Sequence, residues 1–111
     1  MNLRAAPDSA ARLLSAIGLA VRAGRARAGY EAVSRTVRKG EAVAVLVAGD
    51  APAQVRNKLE RLLGSSATPY RVALDGDRLG RAMGRERVVA LAVTDGSLGR
   101  RVIELADELK S

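Results

Sequence analysis

Apolar side chains recur every three or four residues in five segments of the chain, the spacing that buries one face of a helix. The clearest stripe precedes Gly24, where a left-handed cap can end a helix; its members are Leu13, Leu14, Ile17, Ala20 and Val21. The other stripes lie at about 30–39, 50–64, 77–84 and 98–109, and glycine closes the first three of them. The pattern predicts four amphipathic helices and one short helix at 77–84.

Two aspartates stand where helices are expected to begin. Asp50 comes shortly before Pro52, and Asp77 precedes the short apolar face of the fourth helix. An aspartate at the N-cap accepts a hydrogen bond from a free backbone N–H, and proline suits the first turn. We therefore expect Asp50 and Asp77 to be N-caps.

Three short apolar stretches between these helices predict strands. Residues 43–47 and 88–93 are continuously apolar, as in strands covered on both faces, whereas Tyr70, Val72 and Leu74 alternate with other residues, as in a less buried strand. Alternation of helices and strands through short loops favours parallel strands with right-handed crossovers. The predicted fold is α/β: a three-layer α/β/α sandwich with a mostly parallel or mixed sheet of about four strands. It forms one domain over residues 1–111, with residues 1–8 as a loose tail.

Composition narrows the chemistry that this domain can perform. The 111 residues include no cysteine and no histidine, which excludes disulfides and thiolate metal sites and removes the commonest general base. The residues offer no signal peptide and no apolar stretch long enough for a membrane span, so we expect a cytoplasmic protein. The lone acidic residues form no pair for acid–base work, and no glycine pattern matches a nucleotide-binding loop. We expect no enzymatic activity, no cofactor and no small-molecule substrate.

One stretch partly resembles a calcium-binding loop. Asp75, Asp77, Gly80 and Glu86 agree with its spacing, but Leu79 occupies a position that needs an oxygen ligand. Because Leu79 belongs to a helical apolar face, we expect no metal site here.

Positive charge is concentrated in two separate blocks. The chain carries 19 Lys and Arg against 12 Asp and Glu, a formal net charge of +7, with the excess in residues 1–40 and 78–101. Arginine, which dominates, matches phosphate and guanine geometry well, although a GC-rich genome would also favour it. Only Tyr30 and Tyr70 are aromatic, too few for stacking unpaired bases. A nucleic-acid partner would therefore be structured.

The most informative segment is a basic stretch that leads into a helix start. Arg25 and Arg27 precede Gly29, and Tyr30 and Glu31 follow it. Free N–H groups at a helix start suit a phosphate, and a glycine there lets another backbone approach. Further charge comes from Arg35, Arg38 and Lys39, and a second basic loop contains Arg85, Glu86 and Arg87. On these residues alone, a capping glycine beside a solvated charged face is an equally good interpretation.

The order and spacing of several segments over residues 13–105 resemble the ribosomal protein L7Ae/L30e superfamily of kink-turn RNA-binding proteins, most closely its bacterial YlxQ-like branch. The matching segments are 19–24, 29–40, 47–52, 69–70, 79–84 and 92–95. The resemblance implies an α/β/α sandwich around a mixed sheet. It also implies that the start of the second helix enters RNA at sheared G–A pairs, through a Gly-x-Asn-Glu-x-x-Lys motif.

Carried onto this chain, that motif begins at Gly29 and ends at Arg35, which keeps the positive charge of the lysine. Glu31 stands in place of the asparagine and Ala32 in place of the glutamate. In the second basic loop, Arg85 and Arg87 stand where the family usually has apolar residues, whereas Glu86 matches the residue that the family has there. The resemblance thus implies RNA affinity with weaker reading of guanine.

These observations lead to one expected function and two alternatives. We expect a non-enzymatic RNA-binding protein that docks on structured, kink-turn-like RNA of the translation apparatus, with the ribosome as a possible site of action. The expected RNA contacts are Arg25, Arg27, Gly29, Tyr30, Glu31, Arg35, Arg38, Lys39, Asp50, Arg85, Glu86 and Arg87. One alternative is a protein-binding adaptor that uses the same basic face on an acidic partner. The other, the recognition part of an RNA methyltransferase, would need a catalytic domain that this sequence does not contain.

Overall fold

Five helices and four strands form the part of the chain, residues 5–109, that the computed structural model describes. In chain order they are α1 (Ala5–Arg22), β1 (Ala26–Ala28), α2 (Tyr30–Arg38), β2 (Ala44–Val47), α3 (Ala53–Gly64), β3 (Tyr70–Val72), α4 (Gly76–Ala82), β4 (Ala90–Val93) and α5 (Gly96–Glu108). The five predicted helices are confirmed, and so are the three predicted strands; β1 is an additional strand. No helix in these residues has the length and apolar content that crossing a membrane requires.

The strands form a mixed sheet in the order β1-β4-β2-β3. β4 runs antiparallel to both of its neighbours, and only β2 and β3 are parallel. The prediction of a mixed sheet of about four strands is therefore confirmed, whereas mostly parallel pairing is wrong. The cause is that β4 lies between β1 and β2, and a buried central strand is equally apolar in either direction.

Helices cover both faces of the sheet, which confirms the three-layer α/β/α sandwich. Successive strand side chains point to opposite faces. In β2, Leu46 packs with α1, α4 and α5, while Val45 and Val47 pack with α2 and α3. All four residues of β2 and of β4 are fully buried, so these two strands form the centre of the core.

α1 ends as predicted but begins early. Gly24 has a φ of 72°, and its N–H donates to the carbonyl of Val21, while Arg25 N–H donates to Ala20, so the helix closes in a left-handed cap. At the other end the helix already includes residues 5–8, which we expected in the tail. Proline at position 7 is compatible with this start, because the backbone N–H groups of a first helical turn have no acceptor within the helix, so the N–H that proline lacks costs no hydrogen bond. Residues 1–4 lie outside the described part of the chain.

Both predicted aspartate caps are wrong. α3 has Pro52 at its N-cap with no side-chain hydrogen bond, because the Asp50 carboxylate turns instead to Gly76 N–H at 2.9 Å. α4 begins at Gly76, so its cap is Asp75, two residues before the expected cap, and Asp75 accepts from Arg78 N–H at 2.8 Å. Asp77 therefore lies inside the first turn of α4.

Candidate RNA interface

One end of the sheet gathers the start of α2, the end of β2 and the loop that precedes β4. Gly29 N–H donates to the carbonyl of Ala90 at 2.9 Å, and Ala48 N–H donates to that of Val89 at 2.9 Å. The strand directions cause this arrangement: β4 begins where β1 and β2 end. The two basic segments singled out in the sequence, around Gly29 and at 84–88, are thereby brought to the same end of the sheet.

The loop at residues 84–88 is fixed against α4 by backbone contacts. Arg85 N–H donates to the carbonyl of Gly80 at 2.7 Å, and Val88 N–H donates to that of Gly76 at 3.1 Å. A Cβ atom on Gly80 would lie 2.7 Å from backbone atoms of both Glu86 and Arg87. Glycine at position 80 therefore allows α4 to lie directly against this loop.

Ion pairs tie the same loop to β2 and α4. Arg87 donates to Asp50 at 2.8 Å and to Asp77 at 3.0 Å. The pKa of Asp50 is lowered from its ordinary 3.8, chiefly by the hydrogen bond from Gly76 N–H and also by Arg87. The same carboxylates raise the pKa of Arg87. Arg87 and Asp50, both expected RNA contacts, are engaged with each other, so they hold the shape of the loop.

Gly29 has a backbone conformation that strongly favours glycine. It is the N-cap of α2 with φ 96° and ψ 159°, a combination essentially restricted to residues without a side chain. Nothing lies within 4 Å of the position that a Cβ would occupy, so the space beside it is open. The helix start is thus accessible to another molecule, as the sequence predicts, but glycine is required first by the backbone.

An exposed stripe of charge runs along α2 from this end. Glu31, Arg35 and Arg38 recur at the spacing of one helix face and are all exposed, as is Lys39 beyond the helix. Within residues 9–109, the salt bridges include none of these four residues. The opposite face of α2 buries Val33 and Val37 in the core. Three cations here are therefore free to meet an anionic partner.

Tyr30 and Lys58 lie together beside the helix start. Tyr30 is half-buried against the α2 and α3 layer, and the Lys58 Nζ lies 6.0 Å from the centre of its ring. Lys58 is exposed on α3 and adds a cation next to α2 that we did not predict, since sequence spacing alone does not relate α3 to α2.

Arg25 and Arg27 are not grouped with Gly29 in the structure. Arg25 lies at the opposite end of β1, where its carbonyl accepts from Thr94 N–H at 2.9 Å. The Arg27 guanidinium turns back to the carbonyls of Gly24 and Ala26. With Glu41 and Thr94 these arginines line a separate shallow, polar concavity. Because α2 runs back along the sheet, Lys39 also lies toward this far end.

Arg85 and Glu86 complete the expected set. Both are exposed at the tip of the loop near Gly29, and neither is paired within residues 9–109. Asp75 and Asp77, which suggested a calcium loop, are engaged with Arg78 and Arg87 instead. Among residues 9–109 no three acidic, histidine or cysteine side chains are grouped as metal ligands would be.

A sequence profile of the Ribosomal protein L7Ae/L30e/S12e/Gadd45 family matches residues 11–100. The chain belongs to this family. The match covers every strand and the three helices between β1 and β4, together with most of α1 and the start of α5. The superfamily expected from the order of segments in the sequence is therefore confirmed.

Individual relatives agree with the family assignment. RNA-binding protein YlxQ of Bacillus subtilis (strain 168) is 32% identical over 91 residues, which are 82% of this chain and 91% of the relative. A protein of unknown function from Bacillus halodurans C is 34% identical, with a TM-score of 0.82 over 86% of this chain and 96% of that one. The YlxQ-like branch is confirmed by the first relative. The family is one of ribosomal proteins rather than of enzymes.

The fold extends to a distant protein. The 15.5 kD RNA-binding protein of Giardia lamblia has a TM-score of 0.77, covers 99% of this chain and 98% of its own, and is 21% identical. At that identity the likeness concerns the fold, and the L7Ae-family sandwich described above is the architecture that the two share.

Proposed function

We propose that the chain is a non-enzymatic RNA-binding protein that docks on structured, kink-turn-like RNA of the translation apparatus in the cytoplasm, on or near the ribosome. The observation that carries this proposal is the open helix start at Gly29, flanked by free cations and by a fixed loop. Free N–H groups at the start of α2 would contact phosphates, and so would Arg35 and Arg38, which are unpaired within residues 9–109. The RNA-binding relative and the ribosomal family support the class of partner.

The two segments near Gly29 would take different parts of the RNA. Arg85 and Glu86 at the loop tip are unpaired within residues 9–109 and would reach a second strand of the RNA. Arg87 would act mainly by holding this loop, because both of its ion pairs lie within the protein. Such a division fits recognition by shape, in which a rigid protein surface meets a bent RNA.

The charge stripe on α2 extends the proposed contact away from the helix start. Arg35 and Arg38 lie on the exposed face and follow Glu31 at helical spacing. Arg25 and Arg27, farther along the sheet, would meet RNA only if the bound molecule runs the length of α2. The proposal thus gives the RNA a direction, from the loop at 84–88 toward Lys39.

The double substitution Arg35→Ala and Arg38→Ala tests the proposal. Both side chains are exposed and unpaired within the described residues, so thermal stability should stay the same while affinity for a kink-turn RNA falls. Each lost phosphate contact should flatten the slope of log affinity against log salt by roughly 0.7–0.9. A filter-binding or anisotropy titration over a range of salt concentrations measures both effects.

Arg100 and Arg101 supply a matched control. They are exposed on α5, in the layer on the other side of the sheet, and replacing both with alanine removes the same formal charge, although Arg101 lies 3.7 Å from Glu104. The control double variant should keep the slope of the unmodified protein. If the slope of log affinity against log salt flattens equally in both variants, RNA binding depends only on the net charge of the protein. If the slope is unchanged in the α2 variant, the RNA binds elsewhere.

A further inference from the structure

A groove between α1 and α4 lies apart from the proposed RNA interface. It has a volume of about 530 Å³ and is open on one side. Its lining residues are Leu14, Ser15, Gly18, Leu19, Arg22, Arg78, Arg81 and Ala82. Both helices belong to the layer with α5, so the sheet separates the groove from α2. A molecule in this groove would leave the Gly29 surface free.

The floor of the groove is apolar and remains exposed. Leu19 is 50% exposed and is the single large apolar side chain of residues 9–109 that is exposed to this degree. Leu14 and Ala82 beside it are only partly buried. Gly18 leaves space in this floor, since a Cβ there would meet only the Arg22 guanidinium, at 3.5 Å. An exposed apolar patch with a polar rim is typical of a protein-docking site.

The rim of the groove is cationic in the part of the chain that the structure describes. Among residues 9–109 its charged residues are Arg22, Arg78 and Arg81, and none of these lining side chains is acidic. Asp75 engages Arg78 at 2.9 Å, whereas the salt bridges within residues 9–109 include neither Arg22 nor Arg81. Two arginines are therefore available to an acidic partner, on either side of an apolar floor.

We propose that the α1–α4 groove docks an acidic, amphipathic helical segment of a partner protein. Apolar side chains of the segment would cover Leu19 and Gly18, and its carboxylates would meet Arg22 and Arg81. Charge complementarity selects an acidic partner, and the apolar floor selects a protein over RNA. A nucleic acid gains little from leucine, and no aromatic ring lines the groove for a base to stack on.

A titration of the ¹⁵N-labelled full chain with a synthetic peptide tests this proposal. The peptide is a 16-residue acidic helix with leucines on one face, and the comparison peptide has the same residues with the leucines scattered around the helix. The amphipathic peptide should shift the amide signals of Gly18, Leu19 and Arg81, leave those of Gly29 and Glu31 in place, and bind at least tenfold more tightly. Equal affinity for the two peptides would show that binding depends only on net charge, and it would overturn the proposal.

Three variants locate the binding on the protein. Gly18→Leu fills the groove and should also raise the melting temperature, because leucine favours a helix more than glycine does. Gly18→Leu and Arg81→Glu should each lower the affinity for the amphipathic peptide at least tenfold. Arg35→Glu makes the same change of charge on α2, and its affinity for the amphipathic peptide should stay within twofold of that of the unmodified protein.

Other results would contradict the groove assignment. Absence of binding at millimolar peptide, or signal shifts centred on α2, would overturn it. Groove signals that move on dilution of the protein alone would show that a second copy occupies the site instead. A loss of RNA affinity in Gly18→Leu would assign the groove to RNA.

Discussion

The Arg87 guanidinium donates to the Asp50 carboxylate at 2.8 Å and so joins the loop before β4 to the turn after β2. The same carboxylate accepts a hydrogen bond, at 2.9 Å, from the backbone N–H of Gly76, which is the first residue of α4. One aspartate thus connects three segments that meet at the end of the sheet where Gly29 begins α2. The loop at 84–88 owes its position to this connection as well as to the backbone contacts at Gly80.

Acid should weaken this connection. The folded state lowers the pKa of Asp50 below 3.8, so its ionised form is the one that folding favours. The resulting stability is present above pH 3.8 and is lost as the pH falls through the lower, folded-state value. Asp50→Asn keeps an acceptor but cannot titrate, and it should reduce the fall in melting temperature below about pH 4. Circular dichroism melts at a series of pH values measure this, and identical curves for both proteins would contradict it.

A methyl group at position 80 should displace the loop. In Gly80→Ala the new Cβ would lie 2.7 Å from backbone atoms that cannot simply rotate away. We expect a loss of about 1–3 kcal/mol in the free energy of unfolding, as for other overpacked sites. Gly64→Ala is the control, because Gly64 ends α3 with nothing within 4 Å of its Cβ position. That variant should be neutral or slightly stabilised in chemical denaturation.

A substitution at Gly29 measures the cost of backbone strain without a steric clash. Its Cβ position is as open as that of Gly64, but its φ is 96°. Gly29→Ala should therefore cost about 1–3 kcal/mol through strain alone. The bulkier Gly29→Val should also lose RNA binding, in a protein that is already less stable for this backbone reason. Denaturation curves check the alanine variant; a stability equal to that of Gly64→Ala would show that the helix start adapts.

The fold was predictable where one segment carries its own pattern. The stripe containing Leu13 and Ile17, with Gly24 after it, defines α1 locally, and the same is true of β2 and β4. β1 was missed because Ala26–Ala28 has only one buried residue and owes its strand form to pairing with β4. The direction of β4 was also not predictable, since complete burial leaves no mark of parallel or antiparallel pairing.

The site was predictable in its segments but not in its pairings. Gly29 and the 84–88 loop stood out as glycine and charge patterns, and the fold brings them to one end of the sheet. The partners of Asp50 were not predictable, because Gly76 and Arg87 are 26 and 37 residues away in sequence. For the same reason Arg25 appeared to belong with Gly29, although the two lie at opposite ends of a strand.

Recognition of guanine provides the last prediction. Glu31 and Ala32 stand where the family motif has asparagine and glutamate, and Glu31 is exposed and unpaired within residues 9–109 on the proposed RNA face. The lost amide and carboxylate would have contributed base-specific hydrogen bonds, whereas arginines on phosphates accept any sequence of suitable shape. The protein should therefore distinguish poorly between a standard kink-turn and one whose G–A pairs are disrupted. Titrations of both RNAs at physiological salt measure the preference.

Restoring the motif should restore part of that preference. In Glu31→Asn with Ala32→Glu, each recovered bidentate contact should favour the intact kink-turn by about 1–3 kcal/mol, by analogy with base reading in DNA. Both positions lie in the first turn of α2, where the new glutamate also suits the positive end of the helix, so stability should not fall. Glu31→Gln with Ala32→Ser is the control, since it changes both side chains without recreating the motif. A hundredfold preference in the unmodified protein would instead assign the discrimination to another contact. Arg85 and Glu86, near Gly29 and unpaired within residues 9–109, are the groups placed to supply it.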